Sequence, residues 1–486
     1  MKKIYFILVM LIVVSSACTD QFADYNTDKK HPLDVPGESL FTNAQKETSD
    51  FVNNTNVNIN IFKLMSQYWT ETTYTDEANY DLITRNIPAN IYLRLYMRVL
   101  TDLKQSAKLI GDKPTVFDSE KPVKQNKLQI IEMMNVYVYS QLVDIFGMVP
   151  YSQALDINNV YPKYDDGYTI YKDLFKRLDA ALSKLDEGSE SFGSTDIYYK
   201  GDVAAWVKFG NSLKIRMAIT IADADNVLAK SAIESAADKC FQSNDDDCLL
   251  LYVTSAPNYN QLYADLVATG RHDFVAANTM IDIMNSLNDP RLASYFTKTD
   301  TSTVAGVAKL AYVGGQFGFS SPYSQCSHVA AVIQKPDFPG IMLTYSEIQF
   351  YLAEASARNY SLPKTAAEYY NEGIRSSFKF WGTQGVETYL SKPEVAYSTA
   401  SSDWKHTIGL QSWLANYTRG LEGYNTWRRL DYPIFNIPEF STKYADIPVR
   451  FTFPVNEQTL NADNYNAASK AIGGDLISTK IFWDKY

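Results

Sequence analysis

The chain has 486 residues with 45 basic and 55 acidic side chains, a net charge of −10; 46% of residues are hydrophobic and 21% charged. The length allows about three domains or one large body. The composition excludes a multi-span membrane protein and a disordered chain, and the acidic balance excludes a general nucleic-acid binder with a phosphate-tracking surface. Tyrosine occurs 35 times, about twice the ordinary share of roughly 3%. Its flat apolar ring and polar tip suit core packing, wet interfaces and sugar stacking alike.

In chain order, Lys2 and Lys3 precede an uncharged run from Ile4 to Val14, then Ser15-Ser16-Ala17-Cys18. A basic start, a short apolar core and small residues read as a secretory signal over 1–17. Eleven residues are too few for a bilayer core that needs about 20. The small residue before Cys18 resembles a bacterial lipobox, with Ser15 standing where leucine is usual. Cys18 is the expected lipidation site, and two or three acyl chains give a stable anchor where one does not. The polar, Asp- and Pro-bearing segment 18–37 then reads as a tether, and 38–486 as the body.

The body is predicted mainly α. Stripes of Tyr171, Leu174, Leu178, Ala181 and Leu185, and of Trp206, Phe209, Leu213 and Met217, recur at spacings of three and four. Thr344 with Glu347, and Thr365 with Glu368, read as two capping boxes, with Leu343 and Ile348 as a staple on the first. They open two helices of about fifteen residues, an αα-hairpin of tetratricopeptide-like length. Further helices are expected over 41–52, 88–110, 124–146, 226–240, 275–287 and 404–418. The segments 66–87, 147–164, 254–274, 300–340 and 432–486 read as long irregular connections, where function often sits. No domain boundary is evident, so one body is expected.

Cys240 and Cys248 flank a short acidic run, and in an exported protein they are candidates for a small disulfide loop. Cys326 reads as a packed thiol. Asn244 to Asp247 concentrate hard oxygen ligands of the kind calcium takes, although a solvated acidic turn fits them better. The four histidines, His31, His272, His328 and His406, form no HExxH site. No GxSxG or Walker loop is present, and Gly314-Gly315-Gln-Phe-Gly318 lacks dinucleotide spacing. No cofactor and no metal are therefore expected.

Three loops mix rings with short polar groups. The first runs from Gln67 to Tyr80 and holds Trp69, Tyr74, Asp76, Glu77 and Tyr80. The second joins Asn258-Tyr259-Asn260-Gln261 and Tyr263 to Arg271-His272-Asp273-Phe274. The third is Phe317-Gly318-Phe319-Ser-Ser-Pro-Tyr323. Sugars need this mixture, because CH faces stack on rings while hydroxyls bond to Asn, Asp, Glu and Arg. The expected ligand contacts are Trp69, Tyr74, Asp76, Tyr80, Tyr259, Arg271, His272, Phe319 and Tyr323. Asp76 and Glu77 also keep open a glycoside hydrolase, which needs two carboxylates across a cleft.

Gln141-Leu-Val-Asp144-Ile-Phe146-Gly147-Met148-Val149-Pro150-Tyr151 resembles the Asp-x-Phe-Gly-Asp-Val-Pro-Tyr stretch of the SusD/RagB group of outer-membrane nutrient-binding lipoproteins. Met148 replaces the usual Asp. Arg271-x-Asp-Phe274, Asn288-Asp289-Pro290-Arg291, Leu352-Ala353-Glu354-Ala355, Gly423-Tyr424-Asn-Thr-Trp427-Arg428-Arg429-Leu and Pro448-x-Arg450-Phe-Thr-Phe-Pro454 follow in the family's order, with Asn461-x-x-Asn464-Tyr465 near the end. The resemblance implies an all-helical body of tetratricopeptide-like hairpins, lipid-anchored and facing outward from the outer membrane. It also implies a SusC-like TonB-dependent barrel as partner, with the protein as a lid that captures oligosaccharide, or sometimes peptide, and catalyses nothing. By the same analogy the hairpin face is the docking surface for the barrel.

Overall fold

A computed structural model describes residues 35–300, 309–438 and 447–485. Cys18, the expected signal segment and most of the expected tether lie outside the described residues. The tether's last residue belongs to the body: the first described helix, Gly37–Asn53, begins there, and Gly37 is buried against Ile110 and Ser106.

Antiparallel helix pairs make up the body, as the periodicity predicts. Glu120–Phe146 packs on Gly167–Leu182, Val203–Thr220 on Asn226–Ala236, Tyr345–Ala357 on Ala366–Phe380, and Trp404–Ala415 on Gly420–Leu430. Helix starts are set by short polar side chains. Asp166, Asp202, Asp225, Thr344, Thr365 and Asp403 each accept a hydrogen bond from a first-turn backbone N–H, which satisfies donors that a helix leaves orphaned. Gly147, at φ 81°, ends the longest of these helices, and its N–H reaches the Val143 carbonyl at 2.8 Å. The left-handed stop suits glycine.

The Thr365–Glu368 box forms in both directions: Glu368 N–H donates to Thr365 Oγ1 at 3.3 Å, and Thr365 N–H to Glu368 Oε2 at 2.8 Å. The Thr344 start forms only its forward bond, from Glu347 N–H at 3.3 Å. Glu347 does not reach back, because its carboxylate is buried on Arg419 and accepts from Tyr351 at 2.8 Å. The span expected as one helix over 88–110 contains a wider π-wound stretch, Leu93–Leu100, between Ile87–Tyr92 and Thr101–Asp112.

One apolar core runs through the pairs, from Phe41 through Trp206, Ile348 and Trp413 to Phe453. Cys240, Cys248 and Cys326 are free and buried, so the candidate 240–248 loop is not closed. The acidic run between the first two is spent internally. Asp246 pairs with Lys208, and Asp247 accepts from Tyr345 N–H at 2.6 Å. No helix among the described residues is long and apolar enough to cross a membrane.

Candidate functional site

Strand Trp69–Glu71 starts the first loop, and it pairs antiparallel with Phe274–Ala276, which ends the second; Glu71 faces Phe274. Thr72 N–H extends the pairing to the Asp273 carbonyl at 2.9 Å, and Thr72 Oγ1 donates to the His272 carbonyl at 2.7 Å. On its other side Phe274–Ala276 meets the third loop: Ala276 N–H donates to the Ser327 carbonyl at 2.9 Å, and Gly315 N–H to the Ala276 carbonyl at 2.8 Å. Ser320 Oγ donates to the Thr72 carbonyl at 2.6 Å, and Asn79 Nδ2 to the Gly318 carbonyl at 2.7 Å. Segments about 200 residues apart in sequence are thus knitted into one surface by backbone pairing.

At its centre the Tyr323 ring lies between two imidazoles. Its centroid is 3.6 Å from that of His328 at 10°, and 4.2 Å from that of His272 at 28°. Two rings this close and this parallel to Tyr323 occupy opposite faces, since one face has no room for both. His328 Nε2 lies 2.6 Å from the Tyr323 carbonyl oxygen, so that nitrogen carries the proton and donates. Partial burial raises the Tyr323 hydroxyl above its ordinary pKa, which keeps it a neutral donor. A shallow notch joins His272 and Tyr323 to Arg271, Asp273, Phe274 and Gln334. Arg271 Nε donates to Asp273 Oδ2 at 2.6 Å with 62% of its side chain exposed, so further guanidinium N–H groups face solvent. Tyr74 is 72% exposed and lies near Arg271.

Of the expected contacts, the fold brings Tyr74, Arg271, His272 and Tyr323 together at an accessible edge. Phe319 is half-buried beside Ser320, and Asp76 is exposed farther along the first loop. Two expectations are corrected. Trp69 is fully buried, with its indole N–H on the Tyr417 hydroxyl at 3.0 Å and its ring 5.9 Å from Phe274. Tyr80 is buried against Phe317, with its hydroxyl bonded to Gln67 at 3.2 Å. Both rings form the floor and cannot stack on a ligand. Tyr259 sits apart, edge-on to Tyr263 at 5.2 Å, in a segment tied to Pro336 by Asn260.

Glu77 is withdrawn from any cleft. It is buried and ion-paired with Arg85, so it does not form an exposed pair with Asp76 for hydrolysis. His328 and Gln334 were not singled out from sequence: each is ordinary in its own neighbourhood, and only the long-range pairing brings it to Tyr323. Larger clefts lie elsewhere. One of about 630 Å³ between Glu38, Val116 and Lys127 has no aromatic wall. In a groove of about 440 Å³ at Leu93, Met97 and Val160, the Tyr96 hydroxyl is spent on the Pro150 carbonyl and Tyr92 packs on Phe146. Neither holds a ring as exposed as Tyr74.

Helical hairpins packed in antiparallel pairs define the class as a helical-repeat body, here with an open, ring-lined surface. Residues 29–454 match the SusD-like family model, described as "Starch-binding associating with outer membrane", and the chain belongs to that family. Among solved structures it is similar to a chitin-binding protein, 24% identical over 93% of this chain and 100% of the other, with a TM-score of 0.80. It is also similar to a SusD homolog from Bacteroides uniformis, 25% identical over 93% and 99% with a TM-score of 0.77. A third is a chitin-binding SusD homolog from Flavobacterium johnsoniae, 23% identical over 92% and 97%, TM-score 0.74. No curated protein is matched by this chain.

Proposed function

We propose that this SusD-like protein binds oligosaccharide without altering it, on the surface formed by Tyr74, Arg271, His272, Phe319 and Tyr323. The observation that carries this reading is the convergence of three separate loops on one exposed cluster of rings and hydrogen-bonding groups. A sugar needs a flat apolar face beside in-plane donors and acceptors. Tyr74 and the exposed side of the His272 ring away from Tyr323 supply the first; Arg271, Asp273 and Gln334 supply the second. The chitin-binding relatives support a glycan over a peptide.

Calorimetric titration with chito- and malto-oligosaccharides tests the reading. A saturable isotherm is expected for at least one series, with recovered ligand of unchanged length. Tyr323→Ala removes the ring that holds both imidazoles, and it is expected to weaken binding by about tenfold or more, the scale of one aromatic contact. No saturable binding in either series sinks the proposal; shortened ligand would favour the hydrolase instead.

In the same reading the protein is a Cys18-lipidated lid facing outward from the outer membrane, and it hands cargo to a SusC-like TonB-dependent barrel. The family description supports the membrane association. Cys18→Ala is expected to be soluble and unacylated, and retention of that variant in the membrane fraction would refute the anchor. Co-purification of the lipidated protein with a barrel tests the partner.

A further inference from the structure

Beneath the ligand surface lies a carboxyl pair that the binding reading does not use. Glu71 ends the strand at the foot of the first loop, and its Oε2 accepts the Ala78 N–H at 2.9 Å. One side chain therefore spans the two ends of the loop that carries Tyr74 and Asp76. Glu71 and Glu77 are both buried, at 3% and 1% exposure, and their carboxyls lie close enough that each shifts the other's protonation. Glu77 Oε1 takes Arg85, whereas its Oε2 is buried with no N–H or O–H donor from any other residue.

Two ionised carboxylates in such contact repel strongly in a medium of low dielectric, and the single guanidinium here is bound to Glu77. A proton on one carboxyl turns the contact into a bond, and Glu71, which has no cation beside it while Glu77 has Arg85, is the one to hold it. We propose that Glu71 is a positioning residue: a proton it shares with Glu77 braces the 72–80 loop and so holds Tyr74 in place for the ligand. The claim about the ligand rests on the binding reading above.

Burial raises Glu71 to about 9, against the lowering effect of the Ala78 N–H, and the charges of Glu77 and Asp76 raise it further. The charged groups facing the pair are thus Asp76 on the loop and Arg85 beyond it. Across the strand lies Phe274, and the third loop meets the flanking Thr70 and Thr72 through Gly318 and Ser320, none of which titrates. Tyr74 and Tyr80, at φ 53° and 67°, sit in the left-handed region that non-glycine residues resist. The loop is therefore held from outside against its own preference, and the brace is what alkaline solution removes.

The test compares the full chain with Glu71→Gln, whose amide can donate to Glu77 and accept from Ala78, and with Glu71→Ala, which can do neither. Infrared spectra at neutral pH are expected to show a protonated-carboxyl carbonyl band that Glu71→Gln lacks. An ionised Glu71 on its own would still accept the Ala78 N–H, but repulsion from Glu77 drives it off the loop; exchange protection of the Ala78 amide is therefore expected to drop in the wild type above about pH 9, to persist in Glu71→Gln, and to be absent in Glu71→Ala. Affinity for the oligosaccharide that binds should follow the same order, with the wild type losing about fourfold by about pH 9.5 and Glu71→Gln losing less. An unchanged infrared band, or a Glu71→Gln protection profile that falls like the wild type, overturns the proton brace. If no glycan binds, the binding reading falls and takes the ligand clause with it, while the band and the Ala78 amide still decide the brace. If glycan binds with identical pH profiles in wild type and Glu71→Gln, the positioning role falls and the binding reading stands.

Discussion

At the scale of single residues, neighbours in one loop have opposite roles. Trp69 is core, so Trp69→Ala is expected to cost about 3–5 kcal/mol of stability, the range for a buried aromatic truncation. Tyr74→Ala should leave stability within about 0.5 kcal/mol while weakening glycan binding. Urea unfolding curves paired with titrations check both; a stable Trp69→Ala protein with weakened binding would return that ring to the site. Lys63 supplies a second residue-level outcome. It is buried, and its Nζ donates to the Asn54 carbonyl at 2.8 Å, just past the end of helix Gly37–Asn53. Burial lowers its pKa to about 7, with the charge of Asp265 opposing. The unfolded chain keeps the lysine proton up to about pH 10.4, so between about 7 and 10.4 the unfolded state binds more protons than the native one. Stability contributed by this group therefore rises with pH across that window and is lost as pH falls through it. Lys63→Met is expected to flatten that rise, by at most about 1.4 kcal/mol per pH unit, in denaturation series at several pH values.

At the scale of elements, what was legible in the sequence is what is encoded locally. The Thr365–Glu368 box and the stripes on 167–182 and 203–220 were readable because caps and apolar faces repeat within a few residues. Helix Gly420–Leu430 is not among the helices expected from the sequence. Its Glu422, Asn425, Arg428 and Arg429 are buried, so it shows no polar outer face to contrast with an inner one. The candidate loops were found by composition, yet composition does not tell which ring points inward. That is decided by pairing with Phe274–Ala276, far along the chain, which buries Trp69 and leaves Tyr74 outside. Hairpin packing gives a sharper test. A Cβ at Gly373 would lie 2.9–3.1 Å from the ring of Phe350 on the facing helix. Alanine raises helix propensity by about 1 kcal/mol, but overpacking a buried contact costs about 1–3 kcal/mol. Gly373→Ala is therefore expected to be net destabilising in urea unfolding, and a stabilised variant would show that the two helices can part without penalty.

At the scale of the whole molecule, the pairs are joined by buried charge as well as by the apolar core. Arg216, on Val203–Thr220, contacts Asp144 of Glu120–Phe146 and Glu422 of Gly420–Leu430, both at 2.9 Å. Glu422 also accepts from Gln141 at 3.2 Å and Tyr351 at 3.4 Å, and Arg419 reaches Glu347 of Tyr345–Ala357. Four helix pairs thus share one network, and removing one member strands charges that water cannot reach. Arg216→Met is expected to cost about 3–5 kcal/mol, whereas loss of the exposed, solvent-screened Arg375–Glu387 pair should leave stability nearly unchanged. Burial raises the Asp144 pKa even with Arg216 beside it, so without the arginine this carboxyl takes up a proton more readily still. The deficit of Arg216→Met should then shrink as pH falls, because a protonated Asp144 no longer needs a counter-charge. Calorimetry distinguishes this from a merely local defect. One transition shifted to lower temperature is expected, since the stranded charges touch pairs from both halves of the chain. An early separate transition, with the remainder unfolding at the wild-type temperature, would show that the pairs fold independently and that the network does not unite them.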